Sequence, residues 1–236
     1  MKDDGWREAM TGTICFYNKF GDNMHTTYVA APPEYGKDKF LNKFEKEIER
    51  VKEEYPNIYK MGLADGAKAN WPFLNKHTDH QLIDFYHASE YIGGVGRVII
   101  KDPQERDMWI ENQCHKLKHN LGGASRFLNE MINIKSEIKK KDDLEVINKA
   151  ISYFENNNNE DRMQYYKFAD TVLPIGSGAT EAACKIIVKQ RMCKSGMRWK
   201  DAGAQVVLSL RSLHETNGRW DQFWSKVDQY GFDMAA

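Results

Sequence analysis

Three acidic side chains stand where the chain turns out of an ordered segment, and carboxylates so placed can hold divalent cations. Asp65 follows an apolar run at 58–64, Asp84 follows Leu82 and Ile83, and Glu181 comes just after the turn Pro174-Ile175-Gly176-Ser177-Gly178. Mg2+ prefers oxygen donors and keeps several waters, so about two or three carboxylates suffice to bind it. Two such ions about 4 Å apart activate an attacking oxygen and stabilise a leaving one, which is the chemistry of phosphoryl transfer. Each acid also has an ordinary reading. Asp65 and Gly66 can form a plain turn, Asp84 can begin a helix, and Glu181 can be a first-turn acid that the helix dipole favours.

The residues after Glu181 bear on that choice. Lys185, Lys189, Arg191, Lys194, Arg198, Lys200 and Arg211 face only Glu181 and Asp201 in the same stretch. Such a run is either a solvated helical face or a phosphate-contacting patch, with Trp199 available for stacking on bases. His115 and His119, four apart, share a helix face without an evident third ligand and read as a surface pair.

The elements that must position these groups can be read from periodicity. Residues 13–17 and 25–30 are β-branched and aromatic and flank the turn formers at 18–23, which predicts a β-hairpin. Phe40, Leu41, Phe44, Ile48 and Val51 recur at helical spacing over 37–55. Pro56 ends that helix, and 58–64 reads as a short buried strand carrying Asp65 at its carboxyl end, where open α/β sheets place ligands. Asn70 is placed to cap a helical turn at 71–74, and 81–88 reads as a second strand bearing Asp84, parallel to the first. From 93 to 168 the pattern is helical, with loops expected near Gly122 and at 156–159. In the turn before Glu181, Gly176 and Gly178 supply backbone freedom, and Ser177 or Thr180 serves as N-cap. Three helices then follow, at 181–194, 200–215 and around Trp220 to Val227.

Composition excludes several classes. The 236 residues include 34 Lys plus Arg and 34 Asp plus Glu, so the chain is not a polycation and nucleic-acid affinity must come from local clustering. Cys15, Cys114, Cys184 and Cys193 form no Cys-x-x-Cys pair, which excludes a zinc ribbon or disulfide framework. Neither a long apolar run nor the apolar core of a signal peptide is evident, so a cytoplasmic, nucleoid-associated protein without a membrane partner is expected.

Taken together, Leu63-Ala64-Asp65-Gly66-Ala67 with Trp71, Ile83-Asp84-Phe85-Tyr86-His87-Ala88, the 174–178 turn with Glu181-Ala182-Ala183-Cys184-Lys185, Arg191-Met192, and Ser195-Gly196-Met197-Arg198-Trp199 closely resemble the Kra-type insertion-sequence transposases of bacteria. The resemblance runs from about residue 5 to 227, with its motifs in the family's order. It implies an RNase H-like catalytic domain with a DDE acid triad, interrupted by a helical insertion before the Glu. It also implies Mg2+ or Mn2+ as cofactor, two ions in the intact enzyme. The implied partners are DNA, as transposon ends and target, and further copies of the chain. By that resemblance Asp65 is the second acid and Glu181 the third, both metal ligands, while Asp84 and His87 match the family's Asp-Phe-x-His segment. Asp84 then either joins the acidic cluster or begins a helix. His87 either contacts substrate, orients a carboxylate or is a satisfied core histidine. Lys185, Lys189, Arg191, Lys194, Arg198, Trp199 and Lys200 form the DNA-facing set.

The family's first acid lies on a strand that this sequence does not contain, since Asp3 and Asp4 sit in a stretch too short and polar for a buried central strand. The expected fold is therefore α/β, an RNase H-like mixed sheet lacking its first strand, with a large all-helical insertion and C-terminal helices. Its divisions fall at 1–92, 93–172 and 173–236. The expected activity is Mg-dependent DNA cleavage and strand transfer by a fragment of the enzyme; the alternative is an inactive remnant that only binds DNA. A nuclease acting on RNA or hybrids shares the carboxylate chemistry and nothing more.

Overall fold

The computed structural model describes residues 9–231; Asp3 and Asp4 lie outside them. The protein is mixed α/β, about 62% helical with small sheets. Its contacts divide it into two compact units, one formed by 9–58 together with 178–231 and the other by 59–177.

In the first unit β1 (Met10–Tyr17) and β2 (Asn23–Ala31) form the expected antiparallel hairpin, with Thr13 opposite Tyr28. Asn18 closes the turn by accepting from the amides of Phe20 at 2.8 Å and Asp22 at 3.0 Å. Side chains alternate across a strand, and β2 uses both faces. Val29 and Ala31 pack on Phe40 of α1 (Lys37–Glu54), while Ala30 packs on Ala183, Ile187 and Leu208. Those three residues come from α7 (Gly178–Ala183), a π-helical segment (Cys184–Lys189) and α9 (Asp201–Glu215). The short α8 (Gln190–Met192) ends the first of these helices, and α10 (Arg219–Tyr230) ends the described chain. Thr216 ties α9 to the hairpin by accepting from the Tyr28 amide at 3.1 Å.

In the second unit β3 (Met61–Ala64) and β4 (His80–Ile83) run parallel, joined through a 3-10 turn at Lys68–Asn70 and α2 (Trp71–His77). Helices α3 (Phe85–Ile99), α4 (Pro103–His119), α5 (Gly123–Lys135) and α6 (Lys141–Asn158) follow. Leu82, Ile83, Ile92, Phe127, Met131 and Phe154 lie in one core, so the strands and the helices are packed as a single body.

Several expectations shift. Among the described residues the strands form two separate two-stranded ribbons where one mixed sheet was expected. The expected boundary at 92/93 falls inside α3, because α3 packs on both α4 and α6. The second strand ends at Ile83 because the Asp84 side chain caps α3. Asn70 does not cap α2; it is itself helical and closes the preceding 3-10 turn. The Asn run at 156–158 continues α6, where the Asn157 side chain bonds back to the Tyr153 carbonyl at 2.8 Å. No helix among the described residues is long and apolar enough to cross a membrane.

Candidate functional site

Asp65 and Asp84 follow residues paired in register, Ala64 opposite Ile83, so the parallel ladder delivers both to one end of the ribbon. Their surroundings differ. Asp65 is exposed; its Oδ1 accepts from the Ala67 amide at 3.1 Å and from Asn70 Nδ2 at 3.4 Å. The turn depends on Gly66, which has φ +100° and whose missing side chain leaves room for Tyr153 and Ile83.

Gly66 also borders a cleft of about 1230 Å³ whose walls include Lys68, Trp71, Tyr91, Lys141, Tyr153 and Arg162. The Arg162 guanidinium lies over the Trp71 ring at 4.3 Å. The Tyr91 and Tyr153 rings stack at 4.0 Å. Burial, then the charges of Tyr91, Asp65 and Asp84, push the Tyr153 phenol well above its ordinary pKa, so it remains protonated.

Asp84 is fully buried and saturated. Oδ1 accepts from the Tyr86 amide at 2.6 Å, and Oδ2 accepts from the Ser177 amide at 2.7 Å and from the Ser177 hydroxyl. Its own amide donates to Ala64 at 2.8 Å, and the next amide, of Phe85, donates to Ile175 at 3.0 Å. Asp84 therefore joins the strand end, the start of α3 and the Gly-rich turn. Both its oxygens are consumed by donors, which suits a structural acid and not a metal ligand. Gly176 lies close to Tyr86, and a Cβ there would sit 3.1 Å from the ring. Neither Gly176 nor Gly178 has positive φ, so the expected need for backbone freedom is not met at either, and a Cβ at Gly178 would meet nothing within 4 Å.

His87 is not a core histidine. It lies half-exposed on α3 with Nδ1 3.3 Å from Glu90, because the buried face of α3 is taken by Ala88, Ile92 and Val95. His115 and His119 share a face of α4 with rings 4.7 Å apart.

Glu181 is exposed in the first turn of α7. The hydroxyls expected to cap that helix are engaged elsewhere, Ser177 on Asp84 and Thr180 on Thr13 at 2.8 Å. Glu181 borders a shallow depression of about 830 Å³ with Cys184, Lys185, Lys189 and Gln190. Lys185, Lys189, Arg191, Lys194, Arg198 and Lys200 are all exposed. Two members of the basic region have structural work. The Trp199 indole N–H donates to the Met192 carbonyl at 3.1 Å while one ring face lies under Arg191 at 5.0 Å. Arg211 turns inward, donating to the Ile186 carbonyl of the π-helical segment and pairing with Glu215 at 3.0 Å.

Asp65 and Asp84 belong to the 59–177 unit, and Glu181 with the basic stretch belongs to the other. No local pattern signals the Ser177 contact, which spans 93 positions, or the π-helical segment, which leaves no periodic trace. The cleft residues Lys68, Lys141 and Tyr153 were likewise unsignalled, since each is ordinary in its own segment. No protein-family model, curated protein or solved structure matches the chain.

Proposed function

We propose that the chain acts in DNA transposition as a relative of the Kra-type insertion-sequence transposases, by Mg2+- or Mn2+-dependent strand cleavage and strand transfer. In this reading β3, β4 and their flanking helices belong to an RNase H-like catalytic core, and the helices between Gly93 and Phe168 are its insertion. DNA and further copies of the chain are the partners.

The observation that carries the reading is a contrast among the three acids. Asp84 is saturated by donors, whereas Asp65 and Glu181 are exposed carboxylates at ends of ordered elements. Asp65 Oδ2 and the Glu181 carboxylate have no protein donor among the described residues, so the donor set fits a hard cation that takes oxygen ligands. Bound there, the metal would supply Lewis-acid activation of water or a hydroxyl and charge stabilisation at phosphorus. The protein's own part is positional. Asp65 and Glu181 each offer a carboxylate as a metal ligand within their own unit, Lys185 and Lys189 beside Glu181 take backbone phosphates, and Asp84 fixes the turn that leads into α7.

Mn2+ binding by electron paramagnetic resonance and nicking of a duplex in Mg2+, both on the full chain, test this. Asp65→Ala and Glu181→Ala are expected to weaken Mn2+ binding about tenfold each, a loss of about 1.4 kcal/mol, and to abolish nicking. Unchanged metal binding in both variants would refute the assignment. The exposed cations favour a second reading, a DNA-binding protein without turnover. Anisotropy and nicking on the same duplex separate the two: salt-sensitive binding that ignores Glu181→Ala, with no nicked product, selects the second.

A further inference from the structure

His115 and His119 stand outside the acidic site and take no part in it. Both are exposed near the end of α4, on the side away from its buried Gln113 and Leu117. Their spacing of one helical turn brings the rings to 4.7 Å with planes tilted by 35°. Imidazoles at i and i+4 on one helix face can each give a nitrogen to the same metal ion. The helix end that carries them is well fixed. The Asn120 amide donates to the Lys116 carbonyl at 3.1 Å, Gly122 turns the chain out with φ +70°, and a Cβ at Gly123 would collide with the Lys116 carbonyl oxygen.

The neighbour that gives this pair a role comes from a distant segment. Asp170 Oδ1 lies 3.8 Å from His119 Nδ1. Its turn follows the 3-10 helix Tyr165–Lys167, which packs on α4, and is closed by the Thr171 amide donating to the Phe168 carbonyl at 3.0 Å. A carboxylate beside one imidazole nitrogen favours the proton on that nitrogen and leaves the other bare for a metal. Lys116 and Lys118 oppose a cation here, while Asp170, Glu111 one turn before His115, and the carbonyl end of the α4 dipole attract it. Cys114 is no rival ligand, since it packs against the core and burial pushes its thiol up. Imidazole suits Zn2+, Cu2+ and Ni2+, whereas Mg2+ takes oxygen donors.

We propose that His115 and His119 form a Zn2+ site at the end of α4, with Asp170 as its positioning residue and water completing the coordination shell. The ion bridges the last turn of the helix and pins it. With two protein ligands the site is weak, with a Kd on the order of ten micromolar. It uses neither Asp65 nor Glu181 and needs no DNA, so it stands apart from the catalytic reading.

Calorimetric titration of the full chain with Zn2+, in a Cys193→Ser background that removes an exposed thiol and with Mg2+ in excess, is expected to show this binding. His115→Ala and His119→Ala are each expected to raise the Kd by more than about tenfold, with unchanged circular dichroism. Asp170→Asn is expected to raise it about tenfold, and Asp170→Glu to restore most of the loss. Asp65→Ala and Glu181→Ala are expected to leave it unchanged. Zn2+ is also expected to slow amide exchange at Asn120, reversibly with a chelator. Parent-like affinity in His115→Ala or His119→Ala overturns the site, as does the absence of binding below about 1 mM or release of the ion by Mg2+. Loss of Zn2+ binding in Asp65→Ala or Glu181→Ala overturns it too, by placing the ion on the acids. Equal affinity in Asp170→Asn overturns the role of Asp170, and unchanged exchange at Asn120 overturns the pinning of the turn.

Discussion

Asp65 and Asp84 are near-identical in sequence context and opposite in physical role. A buried carboxylate with three donors loses all of them on truncation, and the orphaned amides add their own desolvation cost. Asp84→Ala is therefore expected to destabilise the fold by about 3 kcal/mol, and Asp65→Ala by less than about 0.5 kcal/mol, as urea midpoints would show. Equal losses in the two variants would contradict the assignment of roles. The sequence places Asp65 and Glu181 at element ends because such ends are visible in local pattern. It left Asp84 open because Ser177, its partner, is distant in the chain and carries no periodic signal.

A second residue-scale test concerns Glu47. Burial alone would raise its pKa, but the Arg219 hydrogen bond and the charges of Arg219, Arg50 and Lys43 outweigh it and hold the carboxyl below its ordinary value. A depressed folded pKa contributes stability above the unfolded value of about 4.3, and that contribution is lost as pH falls through the lower folded value. Stability measured by urea from about pH 6 down to about pH 3 should fall less steeply in Glu47→Gln than in the parent. Parallel curves would remove Glu47 from the acid response.

At the scale of elements, the hairpin and α1 were legible because their periods of two and 3.6 run through enough residues to be unambiguous. The sequence pattern runs the second strand five residues too far, over 84–88, since an apolar run does not distinguish a strand from the first turn of a buried helix. Asp84 makes that distinction through its hydrogen bond to Tyr86. The π-helical segment was invisible because a single wide turn needs an outside donor and no local signature. Arg211 is that donor, so Arg211→Ala is expected to cost about 1 to 2 kcal/mol and to speed amide exchange over 184–189. Unchanged exchange there would show that the segment holds its shape without Arg211.

For the whole molecule, zero net charge hides a local excess of cations after Glu181. If that excess meets phosphates, the slope of log affinity against log salt should drop by about 0.9 for each contact removed. Lys185→Ala and Lys189→Ala are each expected to show this in anisotropy titrations, and Arg211→Ala is not, because Arg211 is turned inward. The segmentation into 1–92, 93–172 and 173–236 followed changes of pattern along the chain. Packing followed a different logic, since Leu82 and Ile83 share a core with Phe127 and Phe154.

The covering of Ala30 by Ala183, Ile187 and Leu208 carries a consequence for biosynthesis. The hairpin leaves the ribosome before the residues that shield its Ala30 face, which are translated on the order of ten seconds later. During that interval the 59–177 unit has all its own partners and can fold first, while the nascent hairpin waits with its Ala30 face bare. Proteolysis of ribosome-stalled chains should show 59–177 protected before 9–58.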